Sequence, residues 1–207
     1  MHEDAAKQII GYWQLALGRK ELEETFEIVW ERGYCGFQNS KGRMITQYKY
    51  DDATNFTKGL ARVEISGKYG FINENGNEIT PIKYDYNLSF HEGLCCVKFN
   101  GKYGFINSNG NEIIPLKYDN VSSFCNGLAS VKLNGKCGFI DLKGIEIIPL
   151  KYDDAGSFSE GLAHVRLNGE SMFIDKKDEI IISSLKYEYI GDFKNDMAPV
   201  GYFIGYF

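Results

Sequence analysis

Residues 67–85 read GKYGFINENGNEITPIKYD, residues 101–119 read GKYGFINSNGNEIIPLKYD, and residues 135–153 read GKCGFIDLKGIEIIPLKYD. The first two stretches agree at 16 of 19 positions and the last two at 14 of 19, with a constant spacing of 34 residues. Self-similarity at a fixed period of this length is typical of repeat architectures. We therefore interpret the chain as consecutive copies of one small structural unit.

A second motif repeats with the same period. It reads Phe-x-x-Gly-Leu-Ala-x-Val, with cysteine for alanine in one copy, and a degraded copy stands near the end. Its copies cover residues 56–63, 90–97, 124–131, 158–165 and 193–200. We expect about five units over residues 26–207, with six first strands for five hairpins near residues 35–46, 69–80, 103–114, 137–148 and 171–182.

Within one unit, the hydrophobic pattern has the period of two that is typical of β-strands. Ala61, Val63 and Ile65 alternate with Arg62 and Glu64 in the first strand. Because successive side chains of a strand point to opposite faces, this pattern predicts one buried face and one face in water.

Turn signals divide each unit into a three-stranded antiparallel meander. Gly67-Lys68 is expected to turn the chain from the first strand to the second. Asn75-Gly76 predicts a type I′ turn before the third strand, since both central residues of that turn need positive φ. The third strand is expected to end at Pro81, which cannot donate to a ladder.

Five such units amount to about 15 strands, more than one open twisted sheet accommodates. We therefore expect an all-β repeat protein in which the meanders form a curled open array. A small five-bladed propeller is the alternative.

Residues 1–25 lack the alternating pattern of the repeats and predict a helical cap. Asp4 can cap a helix in which Ile9 and Trp13 share one face, and Gly18 can end it. The end units of repeat arrays need atypical partners, which a capping helix would supply. A separate partner-binding helix is the alternative.

The motifs above resemble those of the WG (KWG) β-repeat family of bacterial proteins. The similarity rests on Gly-Leu-Ala-x-Val, Gly-Lys-x-Gly-Phe-Ile, Gly-x-Glu-Ile-Ile-Pro and Tyr-Asp, and covers roughly residues 26–207. The resemblance implies an interaction module, often joined to other domains, with no shared active site. The family's usual tryptophan before the glycine is replaced in successive units by Cys35, Tyr69, Tyr103, Cys137 and Ser171.

Composition restricts the partners that can be expected. The 207 residues are 43% hydrophobic and carry a net charge of −5, which disfavours nucleic acid and anionic membranes. The sequence contains neither a long apolar span nor a secretory signal pattern, so we expect a cytoplasmic protein. The five cysteines lack the spacing of a metal or redox motif and are expected to be free thiols.

The Lys-Tyr-Asp triplets, from residues 49–51 to residues 151–153, are the first candidates for chemistry. A group that recurs in every unit most simply has a structural role that every unit needs. We expect the aspartate to accept hydrogen bonds from turn amides and the tyrosine to pack within the unit. Cys95 and Cys96 point to opposite faces of a strand, so we expect one in the core and one at the surface. We therefore expect no catalytic residues, metal or cofactor, and the chain is interpreted as a non-enzyme.

Exposed positions that vary between units are where a partner would be selected. The solvent face of the first strands carries Lys98, Lys132 and Arg166, with Arg62 and His164 beside them. This basic ladder would suit an acidic protein surface or a phosphorylated ligand, although a merely solvated face is the alternative. The connections after the triplets, which begin at Asp52, Tyr86, Asn120 and Asp154, form a second candidate surface.

These observations favour a protein-binding or scaffolding module of the cytoplasm whose partner is another protein. A neutralising partner of a single enzyme or toxin is a narrower alternative. Binding of nucleic acid or a phosphorylated ligand through the basic ladder is an alternative of another class.

Overall fold

The computed structural model describes residues 24–183, 189–190 and 200–201, and every regular element in these ranges is a β-strand. The predicted helical cap lies outside the described residues, apart from its last two positions. The strands are β1 Phe26–Glu31, β2 Tyr34–Asn39, β3 Asp52–Ala53, β4 Leu60–Ile65, β5 Lys68–Asn73, β6 Tyr86–His91, β7 Leu94–Phe99, β8 Lys102–Asn107, β9 Glu112–Tyr118, β10 Asn120–Val121, β11 Leu128–Leu133, β12 Lys136–Asp141, β13 Glu146–Tyr152, β14 Asp154–Ala155, β15 Ala163–Leu167, β16 Glu170–Ile174, β17 Ile180–Ser183, β18 Tyr189–Ile190 and β19 Val200–Gly201.

These strands form six small antiparallel sheets in chain order. The sheets are β1-β2, β3-β4-β5, β6-β7-β8-β9, β10-β11-β12-β13, β14-β15-β16-β17 and β18-β19, and we number them as units 1 to 6. The six predicted first strands are β1, β4, β7, β11, β15 and β19. Each sheet is a simple meander, because neighbouring strands in the chain are neighbours in the sheet.

Units 3 to 5 have four strands, where the sequence predicted three. The additional strand is formed by the residues that follow each Lys-Tyr-Asp triplet, which were predicted to be loops. In unit 4, Asn120 pairs with Lys132 and Val121 with Val131. The backbone groups on the open side of the first strand need hydrogen-bond partners, and this segment supplies them whatever its side chains are.

Two predicted turns are wrong in detail. The first hairpin turns at Ser66-Gly67, one residue earlier than predicted, and its φ values of 51° and 72° fit a type I′ turn. At Asn75-Gly76, only Gly76 has a positive φ. The Gly76 N–H donates to the Asn73 carbonyl at 2.8 Å, which makes a type I turn followed by a left-handed glycine.

The third strand does not end at its proline. Strands β9 and β13 continue past Pro115 and Pro149, and both are edge strands, where a missing N–H is tolerated. Gly104 permits the close approach of β9, because a Cβ there would lie 2.5 Å from the Ile114 carbonyl oxygen. In units 1 and 2, the corresponding segments make only isolated bridges.

The second face of the interior sheets is also partly buried, which corrects the prediction that this whole face lies in water. In units 1 to 4, the phenylalanine of the second strand packs on the next unit, as shown by Phe105 and Phe124, whose ring centroids are 4.8 Å apart. Phe105 also shares a buried cluster with Ala129 and Val131 of unit 4. Cys96 lies on this interface and is only 3% exposed, so its predicted surface position is wrong.

The outward face of unit 1 differs from the equivalent faces of the other units. Glu27 and Gln38 occupy the positions of Ala61 and Ile72 in unit 2, and they hydrogen-bond across the strand pair at 3.4 Å. Ala61 and Ile72 are fully buried against unit 1. The array therefore begins with a polar face where later units have an apolar one.

Candidate binding surface

The structure joins the two candidate surfaces into one. In units 3 to 5, the first residue of each predicted loop is the cross-strand partner of a residue in the predicted ladder, and Glu64 occupies the ladder position in unit 2. The residue at the ladder position pairs in turn with the one before the repeat glycine. We call these sets the variable triplets, because equivalent positions differ between units. They are Asp52-Glu64-Tyr69, Tyr86-Lys98-Tyr103, Asn120-Lys132-Cys137 and Asp154-Arg166-Ser171.

The variable triplet of unit 3 consists of two tyrosines in contact and a lysine whose charged group lies over one of the rings. The Lys98 Nζ lies 4.9 Å from the centre of the Tyr103 ring, a distance typical of a cation–π interaction. The rings of Tyr86 and Tyr103 meet edge to face at 6.5 Å. Lys98 is half-buried, whereas Tyr86 is 42% exposed and can contact a partner.

Arg62 and His164 lie on this same face of their own first strands, two residues before Glu64 and Arg166. Arg62 reaches back over the Tyr69 ring at 5.3 Å and pairs with Asp52 at 3.6 Å. His164 is half-buried, and its ring lies 5.6 Å from that of Phe173. Arg166 is exposed. His164 therefore belongs to the covered part of the face and Arg166 to the open part.

Three aspartates of the Lys-Tyr-Asp triplets, Asp85, Asp119 and Asp153, each link two units. Asp119 accepts a hydrogen bond from Lys102 of unit 3 at 2.6 Å and another from the turn N–H of Asn134 in unit 4 at 2.7 Å. Asp153 repeats both contacts one unit later. The tyrosines of the Lys-Tyr-Asp triplets are buried in the cores, so the structural interpretation of this motif is confirmed.

These carboxylates also lie beside the predicted ladder. The pKa of Asp119 is lowered chiefly by its hydrogen bond from Lys102 and also by the charge of Lys132. Lys98 and Arg166 act in the same way on Asp85 and Asp153. The ladder is therefore a mixed row in which each cation stands near a carboxylate.

The lowered pKa values of Asp85, Asp119 and Asp153 predict sensitivity to acid. A carboxyl whose folded-state pKa lies below its unfolded value, near 3.8, contributes stability that is present above that value. This contribution should be lost as the pH falls through 3.8 toward the folded-state values. We expect the urea midpoint to drop between about pH 6 and about pH 3, and less steeply in Asp119→Asn. Equal slopes for the variant and the wild type would contradict the assignment.

A cleft of about 250 Å³ opens between units 4 and 5, at the triplet of unit 4. Lys132, Cys137 and Ser130 line it from unit 4, and Asp154 and Ala155 from unit 5. Its remaining lining residues are Asn120, Val121, Ser122, Val131, Gly156 and Ser157.

The five cysteines are free thiols, and four of them are buried. Burial raises the pKa of Cys96 to about 12 and also raises that of Cys137. The Cys137 thiol lies 3.8 Å from the Asp153 carbonyl oxygen, across the boundary between units 4 and 5. These surroundings are unlike those of a reactive cysteine, whose pKa is lowered.

Within the described ranges, no group of three or more His, Cys, Asp and Glu side chains is arranged to hold a metal ion. The same part of the chain has no helix of the length and apolarity needed to cross a membrane.

The sequence pattern did not indicate Tyr103 and Cys137 as members of the surface. A signal for Cys137 was present, since it breaks a column that holds tyrosine in the two preceding units. Asn120 and Asp154 were predicted to lie on a separate surface of loops, and their pairing with Lys132 and Arg166 could not be foreseen because it depends on the fourth strand.

The fold defines an all-β repeat protein whose meander units pack face to face along the chain. The sequence model of the WG containing repeat matches residues 36–69, 69–103, 103–137, 138–170 and 172–201. The chain belongs to this family, as the resemblance of its motifs indicated.

Solved structures resemble the fold at low sequence identity. A crystal structure of the eukaryotic initiation factor is 12% identical, with a TM-score of 0.52, and the match covers 86% of this chain and 58% of that one. Hsv2 of Kluyveromyces lactis is 9% identical, with a TM-score of 0.46, and coverage is 78% and 64%. The chain thus spans about three-fifths of the length of these structures. No curated protein matches this sequence.

Proposed function

We propose that this chain is a non-enzymatic protein-binding module of the cytoplasm, and that its partner contacts the variable triplets. The observation that carries the proposal is the contrast between positions within one unit. The phenylalanine, tyrosine and aspartate that join the units recur, whereas the triplet changes from Tyr86-Lys98-Tyr103 to Asn120-Lys132-Cys137 to Asp154-Arg166-Ser171. A rigid scaffold with a surface that varies between units suits recognition of one partner.

The charges of the row favour a protein over a nucleic acid. Each cation of the row stands beside a carboxylate, which would repel phosphates. A protein surface can complement such alternating charges with its own. A neutralising partner of one enzyme or toxin is a narrower form of this proposal.

We also propose that the array is open rather than a closed ring of blades. Glu27 and Gln38 give unit 1 a polar outward face, as end units of linear arrays require. A ring would pack this face against the last unit and bury Glu27, which is costly unless the charge is paired.

An open array predicts that one whole period can be removed. Deletion of residues 101–134 joins Asn100 to Gly135, which recreates the Asn-Gly turn and pairs β7 with β12. Because each unit contacts mainly its neighbours, the shortened chain should remain a folded β-protein by circular dichroism and urea titration. Deletion of residues 101–117, half a period, is the matched control and should unfold. Unfolding of both deletions would favour the closed ring.

The function is tested by affinity capture from the cytoplasm of the source cell, with the isolated chain as bait. We expect one protein to be retained and to rebind after purification as a stoichiometric complex. Retention of nucleic acid alone, or of no macromolecule above a bait-free control, would contradict the proposed function.

A further inference from the structure

The cleft between units 4 and 5 lies where two side chains are smaller than their equivalents one unit earlier. Cys137 occupies the position of Tyr103, and Ala155 occupies the position of Val121. Tyr103 packs with Val121 against the core that joins units 3 and 4. The cleft between units 4 and 5 is lined by Cys137 and Ala155, and Tyr103 and Val121 stand at the equivalent positions in the preceding interface.

The cation above this space is retained. Lys132 is the equivalent of Lys98, which lies 4.9 Å above the Tyr103 ring, and it pairs across the strands with Cys137. In unit 2, Arg62 lies over the Tyr69 ring in a similar way. Units 2 and 3 therefore each have a ring beneath a cation, whereas unit 4 has the cation and a cleft without the ring.

We propose that this cleft binds an aromatic side chain of the protein partner, with its ring beneath Lys132 and between Cys137 and Ala155. The inference rests on the proposed function and names the chemistry of the contact. The volume of about 250 Å³ accommodates a single side chain rather than a separate large ligand. Aromatic residues inserted into such pockets dominate the energetics of many interfaces.

The polar groups of the cleft favour a phenol over a purely apolar ring. Ser122, Ser130, Ser157 and Asn120 line the cleft and can exchange hydrogen bonds with a tyrosine hydroxyl. Asp154 can accept a hydrogen bond from the same group. A tyrosine is therefore the partner residue that matches both the cation and the polar lining.

The test uses p-cresol, which has the side-chain chemistry of tyrosine, and records amide shifts of the full chain by NMR. We expect saturable shifts at Val131, Lys132 and Ala155. Cys137→Tyr should fill the cleft from within and abolish them, whereas Cys137→Ser, which matches Ser171, should keep them. Tyr103→Cys combined with Val121→Ala should create a second p-cresol site between units 3 and 4. Dispersed spectra show that each variant is folded.

The role of the cation is tested separately. Lys132→Met should weaken p-cresol binding about two- to fivefold, as expected for a partly exposed cation–π contact. The saturated analogue 4-methylcyclohexanol should bind more weakly than p-cresol to the wild type. Equal binding of both compounds, or no saturable site in the folded wild type, would overturn the proposal.

The affinity of the captured partner for the Cys137 variants distinguishes failure of this inference from failure of the proposed function. We expect Cys137→Tyr to weaken the complex about tenfold or more, as loss of an anchor pocket does, and Cys137→Ser to bind like the wild type. A Cys137→Tyr variant that binds the partner normally would reject the cleft as the contact while the protein-binding function stands. Absence of any captured protein would instead contradict the function itself.

Discussion

Replacing Phe139 by alanine should lower the free energy of unfolding by about 3–5 kcal/mol. Phe139 is fully buried, and its ring meets that of Phe158 of the next unit at 4.8 Å, edge to face. The ring also belongs to the cluster of Ala163 and Val165, which joins units 4 and 5. The substitution therefore leaves a cavity at an interface on which both units depend.

Urea unfolding followed by circular dichroism measures this loss. Phe139→Leu, which retains most of the apolar volume, should lose clearly less stability. Ile147→Ala is the matched control on the same unit, since Ile147 is 45% exposed and should change stability by no more than about 0.5 kcal/mol. A loss for Phe139→Ala as small as that of Ile147→Ala would contradict the packing between units.

The regular features of the fold could be predicted because they recur. The period, the strand character of each segment and the six first strands follow from spacing and from the alternation of apolar residues. The structural role of the Lys-Tyr-Asp motif was also predictable, because a residue present in every unit must satisfy a need that every unit shares.

The missed features depend on packing or on close alternatives in turn geometry. Asn75-Gly76 fits a type I turn with a following glycine as well as the type I′ turn that was predicted. The short strands β10 and β14 form through backbone hydrogen bonds, so their variable side chains carry no strand pattern. Burial of Cys96 depends on the neighbouring unit, which the alternation within one strand does not reveal.

The candidate site was predictable in position but not in composition. The sequence placed Lys98, Lys132 and Arg166 at equivalent positions of successive first strands, as the structure does. It could not show that Tyr86 and Tyr103 flank Lys98, since these pairings require the register of three strands. Nor could it place carboxylates beside the cations, because Asp119 approaches Lys132 only through the fold.

The charge of the row should govern association with the partner. The combined change Lys98→Glu, Lys132→Glu and Arg166→Glu should leave the chain folded, since these residues are exposed or half-buried and none supports an interface core. Some stability should be lost, because each glutamate would stand near Asp85, Asp119 or Asp153. Complementary charge acts chiefly on the rate of encounter and can raise it by about 10- to 1,000-fold. We therefore expect the triple variant to associate at least about tenfold more slowly at low salt.

The most direct test of the binding surface is the association rate of the captured partner with the wild type and with this triple variant, at low and moderate salt. Circular dichroism establishes that both chains are folded. Lys41→Glu, Lys143→Glu and Lys177→Glu together form a control with the same change in charge at exposed hairpin turns. A binding surface at the variable triplets predicts slow, salt-insensitive association for the row variant and a much smaller change for the control. Equal rates for the row variant and the wild type would contradict it.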